Sequence, residues 1–309
     1  MPLHSIIMPV YNGATYLADA IDSILAQTCT DLELIVVNDS SRDASLAIAE
    51  SYAARDARLR VVSTAINSGG PALPKNVGLA LAQGEFISFC DQDDILQPDK
   101  LALATDVLRR HPELDILFAD FQPFGTALSQ QSGYLAQKGF ADKARDYLVP
   151  LEEKLYACRN FWGCMAGVHT GMSTQTIVCR RAVFADKRFD IRYRIVDDIS
   201  LWYRFAETAR IGYLDRTVAL YRHHDDALTT DSELLTRETL AFHKENYFRQ
   251  CHLFDKAENR RYRSMLARFF VRMASRPRIT ALEQRANLAE ALTFDFRLQT
   301  LRWLLRTFA

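Results

Sequence analysis

The sequence lacks several features that would assign it to large classes of protein. No stretch approaches the roughly 20 consecutive apolar residues of a membrane-spanning helix. Residues 1–4 (MPLH) lack the charged and apolar regions of a signal peptide, which favours a cytoplasmic protein. The six cysteines are scattered without paired-ligand spacing, so we expect reduced thiols, with a zinc site at Cys158 and Cys164 as the minor alternative.

Two phosphate-binding signatures are also missing. The first apolar run ends in Tyr11-Asn12-Gly13, which is neither a glycine-rich dinucleotide fingerprint nor a P-loop. A bound nucleotide would therefore need another kind of site. An aromatic face such as Tyr11 suits the base, a carboxylate such as Asp39 suits a base N–H, and a metal ion suits the diphosphate. The structural alternatives are strand-end packing for Tyr11 and a helix cap for Asp39.

Apolar runs alternate with segments of helical period along the first hundred positions. The strands are predicted at residues 5–10, 32–37, 59–63 and 85–90, and the helices at 14–27, from Ser40 or Ser41 to 55, and at 74–82. This order predicts an α/β fold with a parallel sheet covered on both faces. Ligands bind such sheets beyond the carboxyl ends of the strands.

An acidic stretch, residues 91–94 (DQDD), follows the fourth predicted strand. Side chains alternate along a strand, so Asp91 and Asp93 leave it on the same side and repel each other. A hard divalent cation relieves that repulsion and keeps coordination sites for substrate phosphates. The alternative is an acidic turn that caps a helix beginning near Pro98.

Four segments together resemble a known family. They are residues 5–12 (SIIMPVYN), 37–41 (VNDSS), 67–69 (NSG) with 75–78 (KNVG), and 84–94 (GEFISFCDQDD). In order and spacing they resemble the inverting family 2 glycosyltransferases of the GT-A fold, a Rossmann-like, mostly parallel sheet flanked by helices. The resemblance implies transfer of a sugar from a nucleotide diphosphate sugar, usually UDP-linked, with Mn²⁺ or Mg²⁺ at the acidic motif.

The resemblance also implies roles for individual residues. Those placed at the nucleotide are Pro9, Tyr11, Asn12, Asp39, Asn67, Lys75 and Asp91. Asp93 is the implied metal ligand, and Asp94 is assigned to the phosphate side. Lys75 departs from the family, which usually has arginine there; the charge is kept, but the planar fork is lost.

A second acidic pair, Asp197-Asp198, opens a predicted amphipathic helix. The structural alternative is a pair of acids favoured by the helix dipole. The resemblance implies that the second member, Asp198, is the catalytic base. Asp197 stands where glutamate is more usual and is assigned to substrate binding.

Three further candidates lie in the second half of the chain. Arg222 and His224 match a family pattern of arginine, spacer and histidine. The resemblance implies that Arg222 is a phosphate contact and that His224 is a metal ligand or diphosphate donor. Trp162 lies in a segment that we expect to line the acceptor pocket, with a packed loop as the alternative.

The net charge is zero but uneven, because residues 231–309 carry 15 Lys and Arg against 9 Asp and Glu. We expect a catalytic domain at 1–230, with a nucleotide-sugar half (1–120) and an acceptor half (121–230). Residues 231–309 form a basic helical extension. Its amphipathic segments 259–273 and 296–308 suit an anionic membrane surface, or fold back on the catalytic domain. No nucleic-acid motif is present.

The sequence therefore predicts a metal-dependent, inverting glycosyltransferase with a glycan or lipid-linked acceptor, peripheral on the inner face of the membrane. Two alternatives stay open. One is a catalytically silent nucleotide-sugar-binding or scaffold protein. The other is a sugar nucleotidyltransferase, which would normally have a glycine-rich, basic loop after the first strand.

Overall fold

The first strand, β1 (His4–Val10), is buried along its whole length. Its apolar residues Ile6, Ile7 and Met8 favour a strand with both faces covered. It pairs in parallel with β2 (Leu32–Asn38) on one side and with β4 (Phe86–Phe89) on the other. The computed structural model describes residues 1–125, 133–161, 172–275 and 280–295.

The remaining strands extend this pairing into a ten-stranded sheet. They are β3 (Leu59–Ser63), β5 (Ile95–Leu96), β6 (Ile116–Gly125), β7 (Leu148–Glu152), β8 (Leu155–Cys158), β9 (Val178–Arg180) and β10 (Ile211–His223). The strand order is β3-β2-β1-β4-β9-β6-β10-β8-β7, and β5 pairs with β10. Strands β1 to β4 are parallel, as the sequence predicts, whereas β9, β8, β7 and β5 introduce antiparallel pairs.

Helices connect the strands and cover the sheet. In chain order they are α1 (Leu17–Leu25), α2 (Ser45–Ala53), α3 (Ala72–Leu81), α4 (Lys100–Arg110), α5 (Tyr134–Gln137), α6 (Phe140–Lys143), α7 (Asp197–Phe205), α8 (Ser232–Gln250), α9 (Lys256–Ala274) and α10 (Ala281–Phe294). Among the described residues, one hydrophobic core packs β1 and β2 against the inner faces of α1 and α2. The α/β architecture is therefore the predicted one.

Two local predictions are wrong for physical reasons. Helix α2 begins at Ser45, not at Ser40 or Ser41, because Ser40 has a left-handed φ of 56° and the Ser41 hydroxyl accepts the Asn12 N–H. No strand is predicted from the sequence at residues 148–158, but they form the hairpin β7–β8. Lys154 turns this hairpin with a φ of 60° and has no glycine or asparagine signal.

The described residues fall into two compact units. The first comprises residues 1–125, 133–161 and 172–227 and contains the whole sheet. The second comprises residues 228–275 and 280–295 and contains α8, α9 and α10. No helix in the described part of the chain is long and apolar enough to cross a membrane.

The helical unit is built from strong local signals. Asp255 with Glu258, and Thr280 with Glu283, form capping boxes at the starts of α9 and α10. The predicted apolar face of α9 is largely buried, with Tyr262 and Leu266 fully covered. The second predicted amphipathic segment, 296–308, lies outside the described residues.

Candidate functional site

The site begins where β1 and β4 separate. Ile7 is the last β1 residue paired with β4, opposite Phe89. Pro9 follows two residues later, buried and paired with Val37 of β2. Proline has no N–H to donate, so Pro9 leaves no backbone donor that a further residue after β4 would have to satisfy. The chain after β4 is free to leave the sheet, and residues 91–94 do so.

Asp39 organises the loop beside the end of β2. Its buried carboxylate accepts hydrogen bonds from the Thr64 hydroxyl (2.7 Å), the Asn67 amide (3.1 Å), and the Ser68 backbone N–H (2.9 Å) and hydroxyl (2.8 Å). Helix α2 starts only at Ser45, with Ala44 as its N-cap residue. The helix-cap alternative for Asp39 is therefore wrong, and Asn67 joins Asp39 in one network.

Tyr11 and Asn12 form the turn after β1. Asn12 has a φ of 48°, and its side-chain oxygen accepts the Arg42 N–H at 2.8 Å, which fastens this turn to the loop before α2. Tyr11 is 41% exposed. Its ring is thus available at the surface of the turn, which disfavours the strand-end packing alternative.

The acidic stretch places its carboxylates in different environments. The Asp91 and Asp93 side chains are 35% and 24% exposed, whereas Asp94 is buried. Burial, Asp93 and Asp91 raise the pKa of Asp94 well above its ordinary value, against the Arg222 N–H, which donates to its Oδ1 at 2.9 Å. Burial also raises the pKa of Asp91, against Lys75. Helix α4 begins at Lys100 without a side-chain cap, so capping does not explain the stretch.

Arg222 braces the acidic stretch from β10. Its guanidinium lies between the rings of Tyr16 and Phe124, 4.5 Å from each centroid. Its Nε donates to the Asp93 carbonyl oxygen at 2.9 Å, and its Nη2 donates to Asp19 at 3.1 Å. These contacts fix the backbone that carries the carboxylates. They are a structural role for Arg222, in addition to the phosphate contact that the sequence predicts.

His224 lies against the same stretch. Its Nε2 is 2.9 Å from Oδ2 of Asp93, within hydrogen-bond distance. Its Nδ1 is buried and, among the described residues, has no hydrogen-bond partner, as is also true of Oδ2 of Asp94. The two predicted metal ligands, which are 131 positions apart, are therefore neighbours.

A divalent cation fits this donor set. Carboxylate and imidazole groups are normal ligands of Mn²⁺, and carboxylates suit Mg²⁺. Burial raises the pKa values of Asp91 and Asp94, and repulsion from Asp93 adds to both shifts; a bound cation would relieve that repulsion. No group of three or more His, Cys, Asp or Glu in the described residues forms a complete metal site. Within the described part of the chain, the donor set is thus the neighbouring pair Asp93 and His224, which would leave coordination positions for substrate oxygens.

Lys75 joins the acidic stretch to the second acidic pair. Its ammonium is buried, donates to Asp197 at 3.1 Å and lies 3.8 Å from Oδ1 of Asp91. Burial lowers the pKa of Lys75, but the attraction of Asp197, Asp91 and Asp198 outweighs it, and the net pKa is raised. The lysine is therefore an ammonium, held between two acidic segments.

Asp197 and Asp198 begin α7 and differ in exposure. Asp197 is buried against Lys75, whereas Asp198 is half-buried. Asp198 accepts the Thr174 hydroxyl at 2.7 Å and the Ile199 N–H at 2.6 Å. Burial raises the pKa of Asp198, while Lys75 and the hydroxyl of Thr174 oppose that shift. A partly accessible carboxylate with a raised pKa can accept a proton.

Sequence reasoning missed two residues of the site. Thr174 contacts Asp198 from 24 positions away, with no local signal. Gln92 has no role predicted from the sequence, but its side chain pairs with the backbone of Tyr11. Trp162, the predicted acceptor residue, and Cys164, of the zinc alternative, lie outside the described residues.

Comparison with known proteins gives the family. The family model described as "Glycosyl transferase family 2" matches residues 5–163. Glycosyltransferase GlyG of Streptococcus pneumoniae serotype 4 is 38% identical over 226 residues, which cover 73% of this chain and 72% of GlyG. The uncharacterized glycosyltransferase EpsJ of Bacillus subtilis is 32% identical over 234 residues, 74% of this chain and 63% of EpsJ.

Solved structures agree on the fold. TarS 1–349 of S. aureus in complex with UDP-GlcNAc has a TM-score of 0.66 at 23% identity, over 94% of this chain and 80% of TarS 1–349. Mannosyltransferase PcManGT of Pyrobaculum calidifontis, in complex with GDP-Man and Mn²⁺, has a TM-score of 0.61 at 15% identity, over 99% and 79%. This chain therefore belongs to glycosyl transferase family 2 and has the GT-A fold.

Proposed function

We propose that this glycosyltransferase moves a sugar from a UDP-sugar to a hydroxyl of a glycan or lipid-linked acceptor. The reaction depends on a divalent metal and inverts the anomeric carbon. TarS with UDP-GlcNAc and PcManGT with GDP-Man and Mn²⁺ support a nucleotide-sugar donor and a metal. The B. spizizenii relative named poly(ribitol-phosphate) β-glucosyltransferase supports a glycan acceptor.

One observation carries the proposal. The Lys75 ammonium contacts both Asp197 and Asp91, so the acidic stretch after β4 and the start of α7 lie on either side of a single side chain. A donor diphosphate at Asp91 and Asp93 would therefore lie near Asp198. That is the relation needed between a leaving group and the base that activates the attacking hydroxyl.

The donor nucleoside lies, in this proposal, at the turn after β1. The exposed ring of Tyr11 stacks on the base, and Asp39, held by the Asn67 loop, accepts its N–H. Pro9 and Asn12 shape the turn. Asp91 contacts the ribose or diphosphate, and the Arg222 and Asp94 network supports the phosphate side.

Asp93 and His224 would hold the metal ion. When bound, such an ion neutralises the charge that develops on the departing nucleoside diphosphate. Asp198 takes the proton of the acceptor hydroxyl as it attacks the anomeric carbon from the face opposite the diphosphate. The ion pair of Lys75 with Asp197 fixes the start of α7 and in this way positions Asp198. A single displacement inverts the anomeric centre, so an α-linked donor gives a β-linked product.

In this proposal residues 121–230 bind the acceptor, and Trp162 is the candidate for stacking on its sugar. The basic helices of residues 231–309 suit a peripheral contact with an anionic membrane surface, where lipid-linked acceptors are presented. Liposome sedimentation of the full chain tests this contact. We expect binding to anionic vesicles that weakens with salt; equal binding to neutral vesicles would contradict it.

Replacing Asp93 tests the metal assignment. Asp93→Ala removes one of the two predicted protein ligands, and we expect Mn²⁺ to lose most of its ability to tighten UDP binding. Isothermal titration of UDP with and without Mn²⁺ measures the change. Asp106→Ala, an exposed carboxylate on α4 paired with Arg110, is the matched control and should behave as wild type. An unchanged Mn²⁺ effect in Asp93→Ala would move the metal elsewhere.

The pH profile tests the base. Because the pKa of Asp198 is raised, kcat/KM should fall as the pH drops through a value above the ordinary aspartate pKa of 3.8. The Thr174 hydroxyl stabilises the charged carboxylate, so Thr174→Val should move this acidic limb to still higher pH. An acidic limb that does not respond to Thr174→Val would argue against Asp198 as the titrating group.

A binding panel tests the proposed function directly. UDP, GDP and their sugars are added with and without Mn²⁺, and the thermal unfolding midpoint is followed, because a ligand of the native state raises it. We expect a Mn²⁺-dependent rise with UDP and a larger one with a particular UDP-sugar. A rise with GDP-sugars alone would show that the donor carries guanine and not uracil. No rise with any nucleotide would refute the donor site.

A further inference from the structure

The second residue of the acidic stretch, Gln92, makes a contact that no part of the proposed chemistry uses. The Tyr11 N–H donates to Oε1 of Gln92 at 2.8 Å, and Nε2 of Gln92 donates to the Tyr11 carbonyl oxygen at 3.1 Å. Tyr11 is the first residue beyond β1. The Gln92 amide thus pairs with it as a neighbouring strand would.

These two bonds replace strand pairing at the point where the strands part. Pairing of β1 with β4 ends at Ile7 and Phe89, so Tyr11 has no partner from β4. Gln92 lies between Asp91 and Asp93, so its side chain ties the backbone of Tyr11 to the segment that carries both acids. The two hydrogen bonds thereby join the acidic stretch to the turn that carries the Tyr11 ring.

Gly13 adds an independent observation. A Cβ atom at this position would lie 2.3 Å from Cδ and 2.3 Å from Oε1 of Gln92, and its three nearest atoms all belong to that side chain. The φ of Gly13 lies outside the left-handed region, so backbone conformation does not require glycine there. The lack of a side chain at Gly13 leaves the space that the Gln92 side chain occupies.

We propose that Gln92 is a positioning residue that holds the Tyr11 platform in register with the carboxylates of Asp91 and Asp93. It couples the base end of the donor site to its diphosphate end. This inference rests on the proposed nucleotide-sugar site, to which it adds a residue that touches neither the nucleotide nor the metal. Base binding and diphosphate binding then reinforce each other through Gln92.

Two substitutions separate the hydrogen bonds from the bulk of the side chain. Gln92→Met keeps nearly the same length and loses both bonds, and we expect UDP affinity with Mn²⁺ to fall roughly tenfold. KM for the donor should rise, whereas kcat should stay within about twofold of the wild-type value, because the catalytic base Asp198 and the acceptor side are untouched. The thermal midpoint without nucleotide should stay near that of wild type, which a merely structural role would not predict.

A double-mutant cycle with Gly13 supplies the sharpest test. Gly13→Ala should weaken UDP binding as much as Gln92→Ala, because its methyl group displaces the Gln92 side chain. In Gln92→Ala there is no long side chain for the new methyl group to displace, so adding Gly13→Ala should cause no further loss of UDP affinity. Losses that multiply in the double variant would overturn the proposal, as would wild-type affinity in Gln92→Met.

Amide hydrogen exchange provides a readout without nucleotide. The Tyr11 N–H, protected by Gln92 in the wild-type protein, should exchange faster in Gln92→Met, and unchanged protection would contradict the contact. The outcomes distinguish the two proposals. Wild-type protein that binds no nucleotide overturns the proposed function and this inference together, whereas normal wild-type binding with unaltered variants overturns this inference alone.

Discussion

We expect Asp198→Asn to slow sugar transfer by orders of magnitude while leaving donor binding intact. The asparagine keeps the size of the side chain and an oxygen to accept the Thr174 hydroxyl, but it cannot take a proton. General-base catalysis contributes about 10² to 10⁴ in rate, so kcat should fall by a factor in that range. Steady-state assays of UDP release measure the loss, and titration of UDP with Mn²⁺ measures donor affinity.

Asp142→Asn is the matched control for this substitution. Asp142 lies on α6 with its side chain 83% exposed and pairs only at the surface with Arg145. It should retain wild-type kcat. Loss of UDP affinity in Asp198→Asn, parallel to the loss of transfer, would place Asp198 in the donor site. Full activity would refute the assignment of the base.

Lys75→Met should lower the free energy of unfolding by about 3–5 kcal/mol, the usual effect of removing one partner from a buried ion pair. The substitution leaves Asp197 buried 3.1 Å from where an ammonium stood. It also removes the positive charge that opposes the raised pKa of Asp91. Urea unfolding of the purified variant measures the free energy, and activity should be lost as well because Asp198 is no longer oriented.

A second substitution distinguishes charge from packing. In Lys75→Met/Asp197→Asn no charge is left unpaired at that position, so part of the lost stability should return. Lys143→Met, at an exposed position on α6, controls for the loss of a lysine and should change stability little. If Lys75→Met unfolds like wild type, the ion pair does not hold the two acidic segments together.

Much of the fold could be predicted from local pattern. The buried runs of β1 and β2 are apolar and short, and the sequence between them has helical period, so alternation of strand and helix is readable. The hairpin β7–β8 was missed because Lys154 turns it in a left-handed conformation without the usual glycine. Strand β9 has three residues, too few to show a period.

The site was predictable to the extent that its residues follow strands. Asp39, Asp91 and Asp93 stand at strand ends, where a parallel sheet gathers ligand-binding residues. The pairing of Lys75 with Asp197 joins positions 122 apart, and no local pattern predicts such a contact. The role of Gln92 was hidden for a similar reason, because its partner is the backbone of Tyr11, which any residue type would supply.

The central claim is inverting transfer from a nucleotide sugar, and the anomeric form of the first product tests it most directly. With water as a slow substitute for the unidentified acceptor, proton NMR follows the anomeric signal during hydrolysis of an α-linked UDP-sugar with Mn²⁺. The account predicts that UDP and the β-anomer of the free sugar appear first, before mutarotation, and that Asp198→Asn prevents both. The α-anomer appearing first would contradict a single displacement.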